Sequence, residues 1–373
     1  MLSDQRHLFA VPSDVAYFNS AYFGPRLRSV TDAGRAAIDL TGAPWTVQAS
    51  VFFDPVEQLR STVGALFGDD SEGIALVSSV SYGIAVAAAN LTIGKGRTVV
   101  ILAEQFPSNV YAWRAKIERE GGDIVTVPRS TNGWTEAILD AIDSNTAVVS
   151  IPHCHWTDGT LVDLERVGVA ARGVGAALVV DASQSFAAVP LDVKSVQPDF
   201  VVSVGYKWQL GYYGLGYLWV AEQHRGGVPL EEGWATRKNA DDFTALVDYV
   251  DQYEPGARRF DVGERSNFVG VAMSNAATRQ IAEWGVANVA ETLGSTTSDI
   301  VRRVAELGWF AVPDDQRSGH LIGIRHPNGL PDGFADRLAS AGVSLSVRGD
   351  SVRIAPYLHT TDDDIERLIQ VLR

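Results

Sequence analysis

VVDASQSFAAVPLDVKSVQPDFVVSVGYKWQLGYYGLGYLWV, running from Val179 to Val220, contains two apolar runs that each lead to one charged residue. AALVVDAS (176–183) reads as a buried strand ending at Asp181, and FVVSVGYK (200–207) as a second one ending at Lys207, one of five lysines in the chain. A carboxylate buried at a strand end needs a cation or hydrogen bonds, because burying it unpaired is very costly. A lysine at such a place is desolvated, which lowers its pKa and makes it a Schiff-base nucleophile. Taken singly, Asp181 reads as a helix cap or ion-pair member and Lys207 as a solvated strand end. Together, 26 positions apart and followed by Gly211, Gly214 and Gly216, they mark a functional pair. The short link to GLGYLWVA (214–221) predicts an antiparallel hairpin.

Upstream, apolar runs alternate with amphipathic ones. TVVILAE (98–104), DIVTVPR (123–129) and TAVVSIPH (146–153) read as strands. VYAWRAKIEREGG (110–122), TEAILDAI (135–142) and LERVGVAARGVG (164–175) read as helices between them. Such alternation predicts an α/β fold with a mostly parallel mixed sheet covered on both faces. Downstream, a polar, loop-rich stretch reaches Gly263, and a long helix is expected over 266–293. A helix over 299–308 follows, then a strand at HLIGIRH, a helix at PDGFADRLASAG, strands at VSLSVRG and SVRIAP, and a last helix N-capped by Thr361. The expected division is a large α/β domain over 17–255 and a small α+β domain from 1–16 and 256–373.

The 373 residues suffice for a large core, and no apolar stretch reaches the ~18 residues of a membrane span. The N-terminus lacks the apolar run of a signal peptide, so the expectation is a cytoplasmic protein without a membrane partner. A net charge of −14 argues against a broad nucleic-acid surface. Cys154 is the sole cysteine, which excludes an intramolecular disulfide and Cys-rich metal sites. His153 and His155, two apart near a strand end, make a poor case for metal, and none is expected.

Asp-Ala-Ser-Gln at 181–184, Tyr-Lys-Trp at 206–208 and the Gly-x-Gly-Tyr-Leu-Trp-Val that follows resemble the core of class V aminotransferase-family enzymes, the PLP (pyridoxal 5′-phosphate) fold type I group. Cysteine desulfurases, kynureninases and isopenicillin N epimerase-like proteins belong to it. The resemblance implies PLP as cofactor, held as an imine on Lys207, with Asp181 on the pyridine nitrogen and Gln184 beside the ring hydroxyl. IALVSSVSYGIAVAAANL (74–91) matches the phosphate-binding strand, turn and helix, which points to Ser79, Val80 and Ser81. Tyr206 is expected to reach the phosphate and Phe106, in EQFPSNVYAW (104–113), to stack on the ring. In PHCHWTDGTLVDL (152–164) Trp156 stands where desulfurases carry an asparagine near the ring hydroxyl. SVRIAPYLHTTDDDIERL (351–368) offers Arg353 for the substrate carboxylate, with Arg348 as competitor. Asn19, in YFNSAYFGPR (17–26), joins it as a substrate residue. RFDVGERSNFVG (259–270) matches a segment that crosses to a partner subunit, with Ser266, Asn267 or no residue as the partner's donor, and the resemblance implies a homodimer with sites at its interface.

The implied activity is chemistry at Cα of an amino acid, in first place transamination, which needs no catalytic group beyond Lys207. Desulfuration needs a thiolate on a C-terminal loop, and Cys154 lies elsewhere. Phe106-Pro107-Ser108 and Tyr206-Lys207 look kynureninase-like, whereas YFNSAYFGPR and HWTDGT look like the epimerase and C–S lyase branch, so hydrolysis, β-elimination and epimerisation stand as alternatives. An NAD-dependent dehydrogenase is disfavoured, since Gly173-Val174-Gly175 precedes a strand rather than following one, and Gly94-Lys95-Gly96 lacks P-loop spacing. A regulatory module without turnover would have no use for Lys207, Asp181 and Arg353 together.

Overall fold

The computed structural model describes residues 1–373. Two helices, α1 (Arg28–Gly42) and α2 (Ser50–Leu66), lead into β1 (Ile74–Val77). Then come α3 (Val80–Asn90), β2 (Thr98–Leu102), α4 (Tyr111–Glu120), β3 (Asp123–Val127), α5 (Trp134–Ala141) and β4 (Thr146–Pro152). α6 (Leu164–Gly173), β5 (Ala177–Asp181), β6 (Phe200–Val204) and β7 (Gly216–Val220) complete the unit. The seven strands form one sheet in the order β1-β7-β6-β5-β4-β2-β3. β2 to β6 pair in parallel, and only β7 runs against its neighbours, as the predicted hairpin requires.

Both faces of this sheet are covered, which is why its strands read as continuous apolar runs. Val100, Val149, Val180 and Val201 pack on one side with Val63, Phe67, Trp134 and Val167. Val99, Val148, Val179 and Val202 pack on the other with Ile84, Ala87 and Trp113. Helix α3 sits close on β6, where a Cβ at Gly83 would come within 2.5 Å of Val202 Cγ2. That approach brings the N-terminus of α3 up to the strand ends.

Beyond β7 the chain has only short 3-10 turns up to Phe260, and Ala257 and Phe260 pack into the sheet's core. The helices expected over 266–293 and 299–308 are instead α7 (Phe268–Trp284) and α8 (Val286–Ala305). Gly285, at φ 74°, makes the break, a conformation that costs glycine no Cβ clash. The polar run at 294–299 does not interrupt α8, because Val289, Leu293, Thr297, Ile300 and Val304 keep a buried stripe at helical spacing. Packing there outweighs weak helix propensity.

The remainder adds β8 (Phe310–Ala311), β9 (Ile322–Arg325), α9 (Phe334–Ser340), β10 (Ser346–Arg348), β11 (Ser351–Ile354) and α10 (Asp362–Leu372). Four strands form an antiparallel sheet in the order β10-β11-β9-β8. The single strand expected over 343–349 is two: Val343–Ser344 pairs in parallel with Ala16–Tyr17, and Ser346–Arg348 pairs with β11. Thr361 caps α10 in a full capping box with Asp364, and three aspartates in the first turn complement the helix dipole. No helix is long and apolar enough to cross a membrane.

Candidate active site

β6 stops at Val204, so Lys207 lies three residues past the strand and not at its end. The chain turns there because Gly205 N–H donates to Leu215 O (2.9 Å) and Gly211 N–H to Gly205 O (2.8 Å). The N-terminal segment closes over this turn. Gly24 N–H donates to Tyr206 O (2.9 Å), and a Cβ on Gly24 would come 2.0 Å from Lys207 O. Lys207 is left 9% exposed.

Its side chain is in the wall of a cavity of about 300 Å³ at the C-terminal ends of the parallel strands. Ligands of open α/β sheets bind at this edge. The turn before α3 contributes Ser78 and Ser79, the first turn of α3 Val80 and Ser81, the segment after β2 Phe106 and Ser108, and the segment after β4 Cys154 and Trp156. Asp181, Ser183 and Gln184 come from the end of β5, and Tyr206, Tyr213 and Gly214 from the lysine's turn.

Burial lowers the Lys207 pKa to about 8, with Arg353 and Arg348 adding to the drop and Asp181 opposing it. The same burial raises the Asp181 carboxyl, against hydrogen bonding from Ser183 and the charge of Lys207. Asp181 Oδ1 accepts from Ser183 N–H at 2.9 Å. A buried acid so disfavoured as an anion is poised for a cationic partner. Burial lifts the Cys154 thiol to about 12, leaving it protonated near neutrality.

Ser79 N-caps α3, its Oγ accepting from Tyr82 N–H at 3.1 Å, and Val80 and Ser81 form the first turn. Ser81 Oγ donates to Ser108 Oγ (3.0 Å). Phe106 faces the lysine, with Lys207 Nζ 5.6 Å from its ring centre, and meets Trp156 edge-on at 5.6 Å. Trp156 Nε1 donates to Glu104 O (2.7 Å). Gln184 lines the cavity, but its amide donates to Ala21 O (2.9 Å) and accepts from Trp208 Nε1 (3.0 Å). Tyr206 packs its ring on Tyr213 and Phe23, at 4.7 and 5.1 Å.

Arg353 is 2% exposed and is not in the cavity wall itself. It reaches that wall through Trp156, whose carbonyl accepts from Nη1 at 2.9 Å. Nη2 donates to Ser346 Oγ (3.2 Å) and Asn19 Oδ1 (3.4 Å), and Nε is buried without a partner. Asn19 therefore touches Arg353 and not the cavity. Ser266 Oγ donates to Phe52 O and Asn267 caps α7, so both are engaged within their own chain. His153 and His155 bond Ser185 and Thr157, and burial holds the His153 pKa at about 4.

Ser108, Cys154, Ser183 and Tyr213 line the cavity without having stood among the sequence candidates. Each is a neighbour of a quoted motif, so proximity to FPS, HCHW, DASQ and GYYG was the signal available.

These residues fit PLP. Backbone N–H groups and serine hydroxyls at a helix start would suit its phosphate. Phe106 would suit a flat pyridine face, Asp181 a cationic ring nitrogen, and the Lys207 amine an aldehyde. Ser183, buried beside the Asp181 carboxyl, is a further polar group on that wall.

The model of the family described as aminotransferase class-V matches residues 46–368. The uncharacterized aminotransferase YcbU of Bacillus subtilis (strain 168) is 26% identical over 320 residues, covering 85% of this chain and 82% of that protein. A probable cysteine desulfurase of Methanothermobacter thermautotrophicus is 28% identical over 344 residues, with the same coverage of 85% and 82%. Among solved structures, a C-DES lysine-to-alanine mutant with glycine covalently linked to its PLP cofactor superposes with a TM-score of 0.89. That likeness, at 18% identity and 99% coverage of both chains, bears out the expected PLP-dependent transferase fold type I. The chain belongs to the class V aminotransferase family and is a PLP-dependent enzyme of it.

Proposed function

We propose that the protein moves the amino group of an amino acid to a 2-oxo acid, with Lys207 holding the cofactor and exchanging the proton at Cα. The observation that carries this reading is Lys207 itself, a buried amine with a pKa of about 8 in the wall of the cavity. A general base works best when its pKa is near the working pH. Burial pushes the Cys154 thiol and the Tyr206 hydroxyl on the same wall upwards, away from that role. Transamination needs one base that takes a proton and gives it back, and Lys207 suffices.

When bound, PLP supplies a carbonyl for the amino group and a ring that takes up the electron pair released at Cα. Asp181 would hold the proton on the ring nitrogen. Ser79, Val80 and Ser81 would hold the phosphate, Phe106 would cover one ring face, and Trp156, Gln184 and Tyr206 would line its rim. Arg353, steadied by Asn19 and Ser346, would direct its unpartnered Nε toward the substrate carboxylate. The homodimer belongs to the same proposal. Trp234 and Phe243, both part-exposed, form an aromatic surface with Phe52 that suits contact with a second copy.

The test supplies the PLP-loaded protein with an amino acid carrying an isotopic label on nitrogen, together with an unlabelled 2-oxo acid. Label appearing in the new amino acid supports transamination. Label released as ammonia together with pyruvate overturns it in favour of a lyase.

A further inference from the structure

Arg348 and Arg353 lie on one hairpin, and no carboxylate pairs with either. In the β10–β11 ladder Ser346 is opposite Arg353 and Arg348 is opposite Ser351. That register makes the two arginines diagonal neighbours on one face, roughly 7–8 Å apart. Neither arginine is in the cavity wall itself, and each meets that wall at Trp156. Arg353 Nη1 donates to the Trp156 carbonyl, and Arg348 Cζ lies 5.7 Å from the Trp156 ring centre. Trp156 in turn is part of the cavity wall with Lys207.

Lys207 thus feels two arginines, Arg353 and Arg348, and one acid, Asp181. The other carboxylates at hand are taken: Asp350, in the hairpin turn, pairs with Arg325 at 2.9 Å, and Asp158 pairs with Arg129. The Arg348 guanidinium makes one hydrogen bond, to the carbonyl of its own neighbour Val347 (2.9 Å). Its charge counts among the causes that lower the pKa of both Arg353 and Lys207. Two positive charges on neighbouring positions of one face, with no acid between them, repel each other. A ligand bringing two anionic groups would turn that cost into binding, one group for each guanidinium. Arg353 is deeply buried and Arg348 half-buried, so the two groups would sit at different depths.

We propose that Arg348 binds a second anionic group on the substrate's side chain, making the substrate an acidic amino acid whose distal group is a carboxylate or similar oxyanion. This rests on the PLP-dependent amino-acid reading above and names its substrate class. The alternative, in which both arginines share one α-carboxylate, is an outcome of the test.

The experiment compares glutamate with glutamine, and aspartate with asparagine, on the PLP-loaded protein and its Arg348→Gln and Arg348→Lys variants. The expected result is a kcat/KM preference for the acidic partner of about tenfold or more, falling at least about tenfold in Arg348→Gln, mainly through KM, and partly kept in Arg348→Lys. Calorimetry with glutarate against butyrate reads the same preference without turnover and should lose it in Arg348→Gln. No acidic preference, or an equal loss for both members of each pair, overturns the proposal. Amino acids that react without acidic preference sink this inference alone. Glutarate selectivity in a protein that takes up no PLP sinks only the underlying reading.

Discussion

Gly24 lies directly against Lys207: its N–H holds Tyr206 O at 2.9 Å, and a Cβ there would come 2.0 Å from Lys207 O. Segment 17–26 thus acts as a clamp on the turn that presents the lysine. Gly24→Ala has to displace backbone, not a flexible side-chain end. It should cost about 1–3 kcal/mol, as overpacking does, and weaken PLP uptake. Urea unfolding and PLP titration of the variant check this; wild-type values in both would mean that the contact is slack.

The Lys207 amine carries a pH signature. Burial sets its pKa at about 8 in the fold against an ordinary 10.5, so between these values the unfolded chain binds more protons. Stability of the cofactor-free protein should therefore rise as pH increases across that window. In the same protein, the rate of capture of PLP should rise with pH around a midpoint near 8, where the neutral amine appears. A midpoint near that of free lysine would contradict the burial.

Asp181 opposes that lowering, so Asp181→Asn should move the capture midpoint further down, below about 8. The same variant should slow turnover by on the order of a hundredfold, as loss of a pre-positioned charge does. Stopped-flow capture and steady-state rates read the two effects. An upward or absent shift of the midpoint would mean that the carboxylate does not act on the lysine.

Away from the cavity, Arg60 and Asp261 form a fully buried pair at 2.8 Å that ties α2 to the segment before α7. Asp261 also accepts from Arg265 (2.7 Å) and from Leu76 N–H (2.8 Å) in β1. Arg60→Met leaves Asp261 short of its strongest partner and should cost about 3–5 kcal/mol. Urea unfolding would reveal a loss near zero if Arg265 compensated.

The sheet was legible because its strands are buried on both faces and therefore read as unbroken apolar runs. Asp181 was legible as the last residue of such a run. The position of Lys207 was not: Gly205 and Gly211 close a turn through backbone hydrogen bonds that leave no periodic trace. Gly285 hid its break for a similar reason, since a glycine within a helical pattern does not announce a positive φ. The Arg348–Arg353 relationship needed the register of β10 on β11, and the sequence carries that only once the hairpin is known. Cys154, read only as being in the wrong part of the chain for a desulfurase, proved to line the cavity because β4 ends two residues before it.

Borohydride reduction of the PLP-loaded protein, followed by peptide mass mapping, tests the assignment of Lys207 most directly. The reduced cofactor should be found on the peptide containing Lys207, and Lys207→Ala should show neither the label nor the visible band. A label on any other lysine, or an unchanged band in Lys207→Ala, would contradict it.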